Sequence, residues 1–132
     1  MNSLSLFLRE DIIWAAGLLE GEGYFGAYPT YTRIDESKGY KIVVECGMTD
    51  EDVIDRLHAI VPWACRDGKS YKGKKEMYRI RLNQADKVYA FVVALYPFMG
   101  ERRQEQIRDI VSVFTSMNGQ GHRQNESLVQ LP

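Results

Sequence analysis

Hydrophobic positions in the first half of the chain follow helical spacing, then strand spacing, then helical spacing again. Residues 9–20 carry apolar side chains at helical intervals, begin with acidic residues and end at glycines, so they predict a helix. Residues 24–31 are rich in aromatic side chains and residues 40–46 alternate in polarity, which predicts two strands. An apolar stripe behind an acidic first turn predicts a second helix at 50–61.

The second half repeats this rhythm without repeating the sequence. Residues 64–72 and 75–83 predict a hairpin, which a strongly apolar helix at 85–96 and an amphipathic helix at 101–117 follow. The predicted order is αββαββα with an extra C-terminal helix. We therefore expect an α+β fold with a four-stranded antiparallel sheet and helices on one face.

Composition limits the class of protein. The chain has 132 residues, of which 45% are hydrophobic and 27% charged, as in ordinary globular domains. We expect one domain at 1–117 and a polar, flexible tail at 118–132. No apolar run is long enough to span a membrane, the N-terminus lacks a signal-peptide layout, and two cysteines outside any metal pattern fit a reducing cytoplasm. We expect neither a membrane partner nor a small-molecule substrate.

The net charge of −1 argues against a nucleic-acid partner only as an average. Residues 64–82 hold seven basic and two acidic side chains, a local charge of +5. Nucleic-acid binding depends on such a local basic face rather than on the total charge. A lysine-rich solvated loop at 68–75 that protects an edge strand is an equally good interpretation of the loop alone.

The face of the predicted sheet that points away from the apolar set is rich in basic and aromatic side chains. Such a strand surface suits a DNA groove, although polar outer faces are common on sheets of this kind. We assign to this face Tyr24, Tyr28, Thr30, Arg33, Lys41, Arg66, Lys69, Arg79 and Arg81.

The end of the first helix has an unusual composition. Small residues at 15–17 leave one side of the helix flat, which allows another backbone to approach closely. Glu20 and Glu22 then alternate with Gly21 and Gly23. Because carboxylates are unfavourable at the negative end of a helix dipole, a bound cation is one way to offset their cost. Solvated carboxylates on a turn are the alternative.

The run WAAGLLEGEGYF at 14–25 resembles the LAGLIDADG motif of homing endonucleases, with glutamates in place of the two aspartates. Gly17, Leu18 and Gly23 match the motif, and Ala15 departs from its first leucine. MTDEDVIDRL at 48–57 and YPFMGERRQEQI at 96–107 are also similar to the family, so the resemblance covers residues from about 8 to 115. Only one copy of the motif is present, as in the homodimeric branch.

This resemblance implies a metal site at the motif. Glu22 corresponds to the motif acid that binds the divalent cation, Mg²⁺ or another such as Mn²⁺, and the carbonyl of Gly21 to the accompanying ligand. Glu20 corresponds to the acid with a more structural role, beside the motif glycines Gly17 and Gly23. The resemblance also implies a homodimer through the helix at 9–20.

The family places a basic residue near its metal. When positions are counted from the pair Pro97-Phe98, this residue corresponds to Arg102. Arg103 is the next match, and we assign it as a DNA contact. An exposed ion pair is the alternative role for Arg102. The implied function is site-specific double-strand cleavage of DNA at a long pseudo-palindromic site, by a nucleoid-associated protein of a mobile intron or phage. A cleavage-inactive DNA-binding regulator and an intron RNA maturase remain alternatives.

Overall fold

The computed structural model describes residues 6–31, 38–69 and 76–119. Its elements follow the predicted order, with a short 3₁₀ turn before the last helix. They are α1 (Arg9–Glu22), β1 (Gly23–Tyr31), β2 (Lys38–Met48), α2 (Glu51–Ile60), β3 (Cys65–Lys69), β4 (Met77–Leu82), α3 (Ala85–Leu95), the turn Tyr96–Phe98 and α4 (Glu101–Gly119).

The four strands form one antiparallel sheet in the order β1-β2-β4-β3. The strand β1, which starts directly after α1, forms one edge of the sheet, and β3 forms the opposite edge. In the register, Gly23 pairs with Cys46, and Cys46 pairs with Ile80. Because directly paired residues share a face, this register fixes which side chains meet the helices.

The helices cover one face of the sheet and enclose a single core. Strand side chains on the same face of the sheet as Val44 are buried against apolar side chains of all four helices. The largest fully buried side chains are Phe91, Leu19, Ile54, Leu57, Ile80, Leu82, Leu95, Ile107 and Ile110. The predicted α+β fold with helices on one face is confirmed.

The bounds of several elements differ from the prediction. The helix α1 continues to Glu22 because the Gly23 N–H still donates to the Leu19 carbonyl, which extends the last turn. A Cβ at Gly23 would lie 2.7 Å from that carbonyl oxygen, so this position requires glycine. The final helix extends to Gly119, into the predicted tail. Arg33, the loop at 70–75 and the tail from 120 lie outside the described residues.

The described helices include none that is both long and apolar enough to cross a membrane.

Candidate active site and nucleic-acid interface

The Glu22 carboxylate lies exposed at the C-terminal end of α1, where the chain enters β1. Among the described residues, no basic group and no hydrogen-bond donor pairs with it. Cys46, which pairs with Gly23 in the adjacent strand, is buried, and its pKa is raised to about 11 by burial and then by the negative charge of Glu22. An unpaired carboxylate therefore stands at the point where the helix meets the sheet.

The backbone around Gly21 offers a second oxygen at the same place. The carbonyls of the last helical turn lack intrahelical donors. Of these, the Leu19 oxygen accepts from Gly23 N–H and the Glu20 oxygen accepts from Arg103 Nε–H at 3.2 Å. Gly21 is exposed, and a Cβ built on it would meet no atom within 4 Å. The Gly21 carbonyl and the Glu22 carboxylate therefore lie next to each other at the exposed end of α1.

Glu20 has a different environment from Glu22. Its Oε1 accepts a hydrogen bond from the Gly100 backbone N–H at 2.7 Å, directly before α4 begins. The N–H groups of the first turn have no partner inside the helix, so a carboxylate there both accepts a hydrogen bond and complements the helix dipole. The Glu20 side chain thus connects the end of α1 to the start of α4.

Replacing Glu20 with alanine is expected to lower the free energy of unfolding by about 1 kcal/mol, the usual cost of losing a helix cap. The substitution removes the acceptor for Gly100 N–H and leaves Glu22 unchanged. Urea denaturation of both proteins measures the difference. Glu20→Gln retains the acceptor oxygen and is the matched control; equal losses in both variants would contradict the capping role.

The two arginines after the 3₁₀ turn have opposite surroundings. Arg103 is only 6% exposed, its Nη1–H donates to Gln106 Oε1 at 2.9 Å, and its guanidinium lies 5.4 Å from the centre of the Phe25 ring. Burial and then the charge of Arg102 lower the pKa of Arg103, while Glu20 raises it. Arg102 is exposed at the surface. Arg102 is therefore accessible to a phosphate. The prediction of Arg103 as a DNA contact was wrong, because its side chain is buried and donates to the Glu20 carbonyl and to Gln106.

Helical periodicity in α4 contains a signal for the burial of Arg103. Ile107, Ile110 and Val111 form the buried stripe of α4, and Arg103 lies one turn before Ile107 on the same side. A basic residue in line with an apolar stripe indicates an inward-facing side chain.

The small residues of α1 divide between the core and the surface. Ala15 and Ala16 are buried in the core, so they do not form the flat outer side that the sequence suggested. Gly17 is exposed, and a Cβ added to it would meet no atom within 4 Å; Gly21 is open in the same way one turn later. Ile13, one turn before Gly17, is 41% exposed. This exposed stripe of Ile13, Gly17 and Gly21, which we call the glycine face, leads to Glu22.

The outer face of the sheet carries most of the predicted DNA contacts. Tyr24 and Tyr28 are 53% and 40% exposed, and Lys41, which pairs with Tyr28, is also exposed. Arg79 and Arg81 follow on β4 with the parity of this face. Thr30 and Lys69 occupy register positions of the same face.

The prediction for Arg66 was wrong in its choice of face. Arg66 pairs with Ile80, so it lies on the helix side of the sheet. There it donates to Glu51 and Asp55 of α2, both at 2.8 Å, and stacks on Tyr78. These carboxylate hydrogen bonds raise its pKa. The strand CRDGK has no apolar alternation, so the sequence could not fix its parity.

Two arginines of the outer face pair with carboxylates of the same face, which the sequence did not predict. Glu45 Oε2 accepts from Arg81 Nε–H at 2.7 Å, and Asp67 Oδ2 accepts from Arg79 at 3.2 Å. Both pairs join neighbouring strands at directly opposed positions. Glu45 lies outside 64–82, so its pair with Arg81 neutralises part of the local charge of +5, in which Asp67 is already counted.

One copy of the chain provides few ligands for a metal ion. Within residues 6–31, 38–69 and 76–119, no three His, Cys, Asp or Glu side chains group together in a way that could hold a cation. Glu22 and the Gly21 carbonyl are hard oxygen ligands, the type that Mg²⁺ prefers. They fit a divalent cation as part of a site that needs further ligands.

By sequence alone, the chain matches no protein-family profile and no curated protein. Its structure is similar to homing endonuclease I-CvuI in complex with its target, with a TM-score of 0.68 and 10% identity over 85% of this chain and 70% of that chain. It is also similar to the group I intron-encoded homing endonuclease I-CeuI complexed with DNA, with a TM-score of 0.66 and 14% identity over 92% and 62% of the two chains.

A third similar structure is the I-SmaMI LAGLIDADG homing endonuclease bound to cleaved DNA, with a TM-score of 0.62 and 15% identity. The match covers 89% of this chain but 40% of that longer chain. Together with the element order and the motif at the end of α1, these likenesses confirm the resemblance seen in the sequence: the chain has the fold of the LAGLIDADG homing endonucleases.

Proposed function

We propose that this protein is a member of the LAGLIDADG family and acts as a homodimeric, divalent-metal-dependent, site-specific double-strand DNA endonuclease. The observation that carries the proposal is the exposed Glu22 carboxylate, which has no partner among the described residues and lies where α1 meets the sheet. The similar structures in complex with DNA support the choice of substrate.

Glu22 and the Gly21 carbonyl are the groups of each copy that would hold a divalent cation. When bound, such a cation activates water and stabilises the charge on the leaving oxygen in phosphodiester hydrolysis. Water loses a proton and adds to the phosphorus, the bond from phosphorus to one sugar oxygen breaks, and that oxygen takes up a proton and leaves as a hydroxyl group. A carboxylate at the negative end of a helix is poorly stabilised without a cation, which favours this use of Glu22.

The glycine face explains how a single motif makes a complete site. Gly17 and Gly21 allow two α1 helices to approach closely across a two-fold axis, and Ile13 gives the contact an exposed apolar side chain to bury. The same axis brings two copies of Glu22 together and places two outer sheet faces along one duplex. Cleavage of both strands then follows from the symmetry, and the target is expected to be pseudo-palindromic.

In this dimer, side chains of each copy have separate roles in DNA binding, phosphate stabilisation and support of the site. Tyr24 follows directly after the end of α1, and Tyr28 and Lys41 lie further along the strands; together they present an aromatic and basic surface to the DNA groove. Arg102 is exposed and remains charged at neutral pH, so it stabilises phosphate charge and does not act as a base. Arg103 supports the backbone of Glu20 from inside.

Alanine substitutions of the two arginines are expected to have opposite effects. Arg102→Ala should lower the cleavage rate by about 100-fold, the scale of losing one charge-stabilising group, without changing stability. Arg103→Ala should lower the free energy of unfolding by about 2 kcal/mol, because the Glu20 carbonyl loses its donor. Single-turnover cleavage and urea denaturation separate the two; a stability loss in Arg102→Ala alone would contradict the assignment.

The proposed function is tested on the DNA sequence that results from joining the two flanks of the gene. We expect the protein to linearise a plasmid carrying this sequence in Mg²⁺ or Mn²⁺, and not in EDTA. A plasmid with the two half-sites scrambled is the control. Tight, specific binding without cleavage would instead indicate a DNA-binding regulator, and binding of the intron RNA without DNA cleavage would indicate a maturase.

A further inference from the structure

Arg103 contacts the chain on both sides of the segment that carries the candidate metal ligands. Its Nε–H donates to the Glu20 carbonyl at 3.2 Å, and its guanidinium lies 5.4 Å from the centre of the Phe25 ring. Only residues 21–24 separate Glu20 from Phe25, and both candidate ligands lie among them. One buried side chain of α4 therefore contacts the end of α1 and the beginning of β1 at the same time.

The segment between these two contacts has few restraints of its own. Gly21 and Gly23 have no side chains to restrict the backbone on either side of Glu22. The carbonyls in the last turn of a helix also lack the N–H donors that carbonyls in the middle of a helix receive. Within this turn the Glu20 carbonyl accepts from Arg103, and this bond from outside the helix fixes the residue directly before Gly21.

The Arg103 side chain is itself held in one direction. It is 6% exposed, and its Nη1–H donates to Gln106 Oε1 at 2.9 Å. Because Arg103 is in line with the buried Ile107 and Ile110, an apolar side chain would fill this position without the cost of burying a charge. The arginine therefore supplies something that packing does not, which is a charged donor directed at the Glu20 carbonyl.

We infer that Arg103 is a positioning residue for the metal site, because it fixes the backbone that carries the Gly21 carbonyl and the Glu22 carboxylate. This inference rests on the proposed function and adds to it the residue that arranges the ligands. Arg103 has no acceptor atom and is not itself a ligand, so it acts through the backbone of Glu20. The loss of hydrogen bonds behind metal ligands typically weakens metal binding by about 10- to 100-fold.

The direction of the effect separates positioning from electrostatics. A positive charge near a cation repels it, so the loss of the Arg103 charge alone would strengthen metal binding. The loss of a positioning hydrogen bond weakens metal binding instead. Arg103→Met removes the charge and the donors together and keeps a long, adaptable side chain in the buried space. The sign of the change in this variant therefore shows which effect is larger.

Binding of Mn²⁺ to the protein–DNA complex, followed by the electron paramagnetic resonance signal of free Mn²⁺ with DNA alone as the blank, tests the inference. Arg103→Met is expected to raise the dissociation constant for Mn²⁺ by about 10- to 100-fold. Cleavage by this variant should need a correspondingly higher Mg²⁺ concentration and recover when Mg²⁺ is saturating. Arg102→Ala should instead lower the cleavage rate at every Mg²⁺ concentration.

A matched control destabilises the same helix away from the site. Ile110→Val removes one buried carbon about two turns beyond Arg103, and it should bind Mn²⁺ as wild type does. Phe25→Leu keeps every donor of Arg103 and removes the ring beneath its guanidinium, so we expect a smaller rise in the dissociation constant. This variant decides the question where thermal denaturation shows that Arg103→Met does not fold.

The possible results distinguish this inference from the proposed function. An unchanged or lower dissociation constant in the folded variants would overturn the positioning role and leave the nuclease proposal intact. An equal rise in Ile110→Val would also overturn it, because general destabilisation would then explain the loss. Failure of wild type to bind Mn²⁺ on DNA would overturn the metal site itself.

Discussion

Replacing Glu22 with glutamine is expected to reduce double-strand cleavage by about 1,000-fold, because the loss of a metal-held transition state is worth several kcal/mol. Glutamine preserves the size of the side chain and removes its charge. The exposed position of Glu22 predicts an unchanged unfolding transition, and the removal of a negative charge near DNA predicts binding at least as tight as in wild type. Plasmid linearisation and a gel-shift titration measure the two effects.

Asp109→Asn is the matched control for this substitution, since Asp109 is exposed on α4 and the change removes the same charge. It should cleave as wild type does. Full activity in Glu22→Gln would mean that another carboxylate performs the chemistry. The pairing of Glu20 with Gly100 makes Glu20 a poor replacement, because its oxygen already serves as a helix cap.

Replacing Gly17 with arginine is expected to convert the protein to a folded monomer without cleavage activity. A Cβ at Gly17 meets no atom within 4 Å of its own chain, so the fold itself accepts the longer side chain. Because glycine is a poor helix former, the substitution should stabilise α1 by up to about 1 kcal/mol. The same side chain prevents close approach of a second α1.

Light scattering at a fixed concentration gives the direct measurement. Wild type should have about twice the chain mass of 15.2 kDa, and Gly17→Arg should have the mass of one chain. Ser112→Arg adds the same group at an exposed position of α4 and should remain dimeric. A dimeric Gly17→Arg protein would place the two-fold contact away from the glycine face.

The fold could be predicted from the sequence because the spacing of apolar residues changes from helical to strand spacing where one element ends and the next begins. Ile42, Val44 and Cys46 have one parity in β2, which predicts a strand with one face toward the core, and the long apolar run of α3 predicts a buried helix. The acidic and glycine-rich end of α1 also indicated the candidate site, because carboxylates are unfavourable at the negative end of a helix dipole unless a ligand or a hydrogen-bond donor stabilises them.

The environments of individual side chains depend on contacts that local patterns do not contain. Arg66 pairs with carboxylates 11 and 15 residues away, and Glu45 meets Arg81 across 36 residues. The register between strands decides these partners, and a short charged strand such as β3 does not specify its own parity. Glu20 and Glu22 look alike in the sequence, and only the position of Gly100 separates their roles.

The central claim is that two copies of the chain combine their Glu22 carboxylates over one DNA site. Co-refolded mixtures of wild type and Glu22→Gln, assayed with DNA in excess, test it most directly. If the two copies act together, double-strand cleavage falls with the square of the wild-type fraction, to about one quarter in an equal mixture of randomly paired chains. A linear fall to about one half, as expected of chains that cleave independently, would contradict the account.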